Sequence, residues 1–135
     1  MSSATVYSAI YTWFTANWTS TIIYWENAAS KPPTDGSAWM YVELVDADYV
    51  PGSIGAGLTS AERWRERGYL LAHIFVGVGE GSLTARTYAE SLANSLRGLE
   101  LSPAIRFQDL QIGTMPGVDN GNWWGITVRA DWIRN

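Results

Sequence analysis

Residues 67–96 read RGYLLAHIFVGVGEGSLTARTYAESLANSL, and this stretch decides the fold. Residues 69–76 are apolar on both alternating faces, which is typical of a central, covered strand. Three glycines follow, and after them apolar residues recur with the spacing of an amphipathic helix. The stretch therefore predicts a strand, a glycine turn, and a helix that begins with Ser82 as its cap.

The segments on either side complete a set of alternating helices and strands. Residues 3–19 carry a wide, largely aromatic apolar face and predict a helix that lies on a sheet. The predicted order is α-β-β-β-α-β-β, which describes an α+β fold: a mostly antiparallel sheet of about five strands with two helices packed on it. The predicted strands are 21–25, 38–46, 62–78, 105–112 and 123–133, the second helix is 82–97, and the long loops are 46–61 and 113–122.

The composition narrows the function classes. The length of 135 residues predicts one domain that spans residues 1–135. The chain contains no cysteine, which excludes disulfides and thiolate metal sites. A net charge of -4, with nine Lys and Arg, does not supply the dense cationic face of a nucleic-acid binder. Residues 1–7 lack the basic cluster and apolar run of a signal peptide or membrane span. We expect a soluble chain that is made and assembled in a cytoplasm.

The glycine turn is the first candidate for chemistry. Gly77, Gly79 and Gly81 follow a strand and precede a helix, where backbone amides can bind a phosphate. Their G-x-G-x-G spacing differs from the dinucleotide motif, and no Gly-Lys-Ser/Thr sequence follows. We interpret them as a strand-to-helix turn.

The remaining polar candidates also favour structural roles. His73 is the only histidine and lies in the middle of an apolar strand, so it cannot build an ordinary zinc site. Asp46 and Asp48, with Glu43 nearby, are interpreted as solvated residues where a strand runs into a loop. We expect no catalytic residue, no bound cofactor and no metal.

Tryptophan is unusually frequent, with eight in the chain. Aromatic residues anchor both cores and interfaces. Trp123 and Trp124 are adjacent in a predicted strand, so they point to opposite faces and cannot form a sugar-stacking platform by themselves. We expect Trp124 in the core and Trp123 free for an interface.

The order of these segments resembles one protein family across nearly the whole chain. A first helix precedes the tryptophan element IYWEN at 23–27, a Pro-containing loop, a strand and the Ser-Ile-Gly sequence at 53–55. Arg-Gly at 67–68, the apolar strand, the glycine turn, the helix and a tryptophan-bearing last strand follow. This pattern is similar to the small tail terminator proteins of long-tailed bacteriophages and of phage-derived gene transfer agents.

The resemblance implies a structural protein of the virion and no enzyme. Proteins of that family form a ring, commonly a hexamer, on the head-proximal end of the tail tube. The ring ends tube polymerisation and provides the surface for head attachment. The implied partners are further copies of the chain, the tail tube protein and a head-completion or stopper protein, while DNA passes through the lumen without specific binding. The implied location is the head-tail junction of a phage or phage-like particle, with no membrane contact.

The two long predicted loops are the expected contact regions, because unpatterned segments of this length in a compact chain are usually functional. We expect them to contact the tube or the adjoining subunit. The predicted interface residues are Tyr49, Ser53, Ile54, Trp64, Arg65, Thr114, Met115, Asp119, Asn120 and Trp123.

Three other interpretations remain open from the sequence. A head-completion or minor tail protein of the same particle could use a similar small ring-forming domain. A carbohydrate-binding module is suggested by the tryptophans, and a nucleotide-dependent enzyme by the glycine turn.

Overall fold

The fold is one six-stranded sheet with two helices, seen in a computed structural model that describes residues 4–28, 31–51, 64–102, 104–119 and 123–134. The predicted α+β class is confirmed. In chain order the elements are α1 (Ala4–Asn17), β1 (Ile22–Trp25), β2 (Trp39–Pro51), β3 (Trp64–Gly77), α2 (Leu83–Leu96), β4 (Glu100–Leu101), β5 (Ile105–Asp119) and β6 (Trp123–Arg134).

The strand order in the sheet is β1-β2-β3-β6-β5-β4. Only β1 and β2 run parallel, and every other neighbouring pair is antiparallel. The apolar strand β3 lies in the middle, paired with β2 on one side and β6 on the other. The prediction of a central strand from residues 69–76 is therefore confirmed.

Both helices pack on one face of the sheet. Alternate β3 residues, including Leu70 and Ile74, are fully buried there together with residues of β2 and β6. The helices contribute one stripe each, which for α1 is Val6, Ile10 and Phe14 and for α2 is Ala85, Ala89, Leu92 and Leu96. Periodic apolar residues thus bury one face of each helix against one face of the sheet.

Among the described residues no helix covers the second face of β3, although its apolar residues led to the prediction of a covered strand. Tyr69, Leu71 and His73 are half-buried on this face. Phe75 is only 7% exposed, and the ring of Trp39 in the neighbouring strand stacks on it. We call the face of the sheet opposite the helices the open face.

The ends of α2 follow the predicted turn chemistry in part. Gly98 has φ +72°, so it adopts the left-handed conformation that ends many helices and that glycine adopts without strain. Ser82 occupies the N-cap position, but its hydroxyl does not cap the helix. Its Oγ instead accepts a hydrogen bond from Arg86 Nε at 3.2 Å.

Two segments predicted as loops belong to strands. β2 continues to Pro51, since residues 48–51 pair with 64–67 of β3. β5 continues to Asp119, through the Gly- and Pro-containing segment that was assigned to a loop. Asp48 is consequently not a turn residue but a strand residue, whose Oδ2 lies 3.6 Å from Arg67 Nε. Cross-strand pairing outweighs weak local strand propensity here. The short β4 was not predicted.

The two leucines at exposed and buried positions of α2 offer a matched test of the core. Leu92→Ala should lower the free energy of unfolding by about 2–5 kcal/mol, because it removes a fully buried side chain and leaves a cavity. Leu83→Ala should change it by less than about 0.5 kcal/mol, because Leu83 is 78% exposed. Urea unfolding followed by circular dichroism measures both; equal effects would contradict the proposed packing of α2.

Candidate functional site

One candidate surface is the end of the β2–β3 hairpin. We call residues 48–51 and 64–67 the hairpin arm. In this arm Tyr49 pairs with Glu66, Val50 with Arg65, and Pro51 with Trp64. The β3–β6 ladder begins only at Glu66, so residues 64 and 65 pair with β2 alone among the described residues. Tyr49, Trp64 and Arg65, all predicted interface residues, are exposed and lie together on this arm.

The arm is charged as well as aromatic. Arg67 forms its ion pair with Asp48 in solvent, where such a pair contributes little to stability. Glu66 is 2% exposed, and its Oε2 lies 3.5 Å from Arg134 Nη1 at the end of β6. The buried Glu66 therefore joins the arm to the last strand of the sheet.

A second candidate surface lies at the opposite end of the sheet. Gly77, at the end of β3, pairs with Trp123 at the start of β6, whereas Glu66 pairs with Arg134 at the other end. The predicted interface residues Thr114 and Trp123 lie toward this second end, Thr114 exposed and Trp123 half-buried. The structure thus divides the predicted interface residues into two groups at opposite ends.

The other predicted interface residues are only partly described. Ser53, Ile54 and Asn120 lie outside the described residues. Met115 and Asp119 belong to β5, and only their backbone is described. Their roles stay predictions.

A cluster of aromatic rings occupies the open face near the second end. Trp39 and Phe75 are paired across β2 and β3, and their rings stack with centroids 4.3 Å apart and planes 20° apart. Tyr24 lies 5.5 Å from the Trp39 ring, and Trp123 meets it edge-on at 5.8 Å. Because Trp39 and Phe75 stack on each other, those ring faces are not presented to a sugar, which argues against a carbohydrate platform here.

A polar network crosses the centre of the open face. His73 Nδ1 lies 2.8 Å from Thr127 Oγ1, and His73 Nε2 lies 2.9 Å from Glu43 Oε1. Burial, and then the Glu43 and Glu26 carboxylates, raise the pKa of Tyr41, whose ring stacks beside the imidazole. Both ring nitrogens of His73 have partners within the sheet, in agreement with a structural role.

A second cross-strand group lies next to this network. Arg129 Nε donates to Asp131 Oδ1 at 3.0 Å, and the guanidinium carbon lies 4.0 Å from the centre of the Tyr69 ring. The hydrogen bond to Asp131 raises the pKa of Arg129. An ion pair and a cation–π contact thus hold the side chains of Tyr69, Arg129 and Asp131 in place on the open face.

The described residues offer no cluster typical of a metal site. They contain no group of three or more His, Asp or Glu side chains that could hold a metal ion. No helix in the described part of the chain is long and apolar enough to span a membrane.

At the glycine turn, Gly79 and Gly81 have φ of +91° and +77°, so these glycines meet a backbone requirement of the turn.

Sequence reasoning named Tyr49, Trp64 and Arg65 of the hairpin arm as interface residues but missed the aromatic cluster. Trp39, His73 and Phe75 were read as members of alternating strands, but their contacts depend on the register between β2, β3 and β6. The period-2 alternation of aromatic residues in β2 and β3 was the available signal. It gives the face of each residue but not its cross-strand partner.

Phe75 tests whether the aromatic cluster stabilises the chain. Phe75→Ala should lower the free energy of unfolding by about 3 kcal/mol, because the ring is buried although no helix covers it. Tyr49→Ala, at an exposed position of the hairpin arm, should change it by less than about 0.5 kcal/mol. Thermal and urea unfolding of both variants are the measurements. A Phe75→Ala protein as stable as the wild type would show that the cluster is free to serve binding instead.

Comparisons with known proteins agree with this architecture. One solved protein structure covers 100% of this chain and 96% of its own, with a TM-score of 0.65 at 17% sequence identity, a likeness that shows a shared fold. A search of curated proteins by sequence found no match. A family model described as phage tail terminator protein matches residues 4–132. The chain therefore belongs to the phage tail terminator family, whose members are structural components of the virion tail.

Proposed function

We propose that the chain forms a closed ring, most simply a hexamer, on the head-proximal end of the tail tube. The ring ends tube polymerisation and offers its other side to a head-completion or stopper protein. Membership of the tail terminator family supports this role. The finer points, which are the ring, its subunit number and head attachment, are the proposal.

The observation that carries the proposal is the placement of the predicted contact residues at two opposite ends of one sheet. Tyr49, Trp64 and Arg65 lie at the hairpin-arm end, and Trp123 lies at the other. In a ring of such chains, the hairpin-arm ends of all sheets would lie on one side of the ring and the ends near Trp123 on the other. A terminator needs two such sides, because it contacts the tube on one and the head on the other.

The charge of the chain suits a lumen through which DNA passes. The net charge of -4 disfavours retention of a polyanion, since non-specific DNA binding depends on dense Lys and Arg contacts. We propose that DNA passes the ring without specific binding, and that the chain acts as a structural protein without an enzymatic step.

Native mass spectrometry over a concentration series, together with a tube-capping assay, tests the proposal. Purified tube protein is polymerised on its tail-tip template with and without this chain, and tube lengths are measured by electron microscopy. We expect a discrete closed oligomer, and tubes that stop elongating once the chain is added. Tubes that continue to elongate at saturating concentrations of the chain would exclude a terminator role.

The hairpin arm is the part of the molecule that we expect to contact the tube or the adjoining subunit. The double substitution Tyr49→Ser and Trp64→Ser should reduce capping at least tenfold without unfolding the chain, because both side chains are exposed. A deletion of 49–57 is a poorer test, since 49–51 pair with β3.

Leu83→Ser is the matched control, because it also replaces an exposed apolar residue but lies outside the arm. It should cap tubes like the wild type. Normal capping by the arm variant would remove the arm from the contact surface and leave the other parts of the proposal standing.

A further inference from the structure

The sheet has two edges, and each includes a stretch that lacks the charges with which proteins usually protect an edge strand. Charged side chains, lysine above all, normally keep unpaired backbone groups from joining another chain. The edge strand β1 belongs to a stretch of 25 residues, from the start of the chain to Trp25, that has no charged residue. Residues 110–118 of β5 have none either.

The outer side of β5 is covered only at its beginning. Glu100 and Leu101 of β4 pair with Arg106 and Ile105, and Phe107 N donates to Leu99 O at 3.1 Å. Beyond this point no described strand lies outside β5. The covered part carries the charged residues Glu100 and Arg106, and Asp109 lies just beyond it, whereas residues 110–118 are uncharged. The two parts of the same strand therefore differ in both pairing and charge.

The uncovered part contains a short, regular segment. Residues 110–114 pair in unbroken register with 130–126 of β6, between one irregularity after Phe107 and another after Thr114. We call residues 110–114 the β5 edge and residues 22–25 the β1 edge. The β1 edge also pairs in unbroken register, with 39–42 of β2. The two edges are thus nearly equal in length.

Each edge also exposes an isoleucine. Ile112 is 45% exposed on the β5 edge, and Ile22 is 48% exposed on the β1 edge. A β-branched apolar side chain packs well against a side chain of a neighbouring strand, and exposure to water does not stabilise it. Each edge thus combines free backbone groups with an apolar side chain and no charge, which makes it a template for strand addition.

We infer that the β5 edge of one copy pairs with the β1 edge of the next copy and so joins neighbouring sheets around the ring. This inference rests on the proposed ring. A closed ring needs two different, mutually complementary surfaces on one chain, and these edges lie at the two sides of the sheet, so that each copy uses both at once. The occupant is a second copy because both edges are neutral and similar in length, so that pairing them buries no unpaired charge.

Two lysine substitutions test the inference on the full-length chain. Ile112→Lys and Ile22→Lys each place a cation on one edge at an exposed position, so both variants should stay folded by circular dichroism. Each variant alone should lose the ring and sediment as a monomer. Leu83→Lys, which makes the same kind of change outside the sheet, should assemble like the wild type.

Mixing the two variants gives the decisive measurement. Ile112→Lys retains an intact β1 edge and Ile22→Lys retains an intact β5 edge, so an equimolar mixture should form a one-to-one dimer and nothing larger. Dimerisation of Ile22→Lys alone would overturn the inference in favour of β5 pairing with itself. Full rings from either variant, or a mixture that stays monomeric, would also overturn it.

Two further outcomes separate this inference from the proposed function. Variants that keep the ring but fail to cap tubes would show that the edges bind the tube protein, which overturns the inference. Wild-type chains that cap tubes yet stay monomeric at every concentration would overturn edge pairing and leave termination standing. If a lysine variant fails to fold, amide hydrogen exchange of the wild type decides: residues 22–25 and 110–114 should exchange at least tenfold more slowly in the ring than in the dilute monomer.

Discussion

The structure depends on the burial of one face of a three-strand ladder, β2-β3-β6, beneath two helices. Alternate residues of β3, among them Leu70 and Ile74, meet the helical stripes in a core from which water is excluded. Because side chains alternate along a strand, this burial also determines which residues face the other way. Slipping β3 by one residue would expose the core positions and bury Tyr69 and His73 instead. The register of the central ladder thus places every other surface of the molecule.

The open face follows from that constraint. Neither α1 nor α2 lies above this face, which limits its exposure by packing aromatic rings on each other and by joining polar side chains across strands. Trp39 and Phe75 stack, and His73 connects Glu43 with Thr127. Such contacts stiffen a sheet through cross-strand pairs. They also explain why an aromatic-rich chain need not be a sugar-binding protein: rings that contact each other are not free to stack on a ligand.

The proposed assembly of this member of the tail terminator family uses the parts of the sheet that the core leaves free. These are the hairpin arm, the end near Trp123 and the two neutral edges. The arm and the edges differ in character, because the arm is aromatic and charged whereas the edges are uncharged. Contacts of different character on one small domain allow several partners to be distinguished.

The sequence by itself determined the α+β class, the central position of β3 and the stripe of α2, because apolar period and glycine placement act locally along the chain. Its order of segments also resembled the tail terminator family, which the family model shows. The sequence also singled out Tyr49, Trp64 and Arg65 as interface residues, but only the β2–β3 pairing brought them together on one hairpin. It failed where pairing overrides local propensity, as in the strand residues 48–51 and 113–119 that were predicted as loops. Only the tertiary structure decided that α1 and α2 share one face of the sheet, that Trp39 meets Phe75, and that no described strand lies outside β5 beyond Phe107. The physical reason is that these features depend on contacts between residues far apart in the chain, and strand register and strand order are settled only when the sheet assembles around its core.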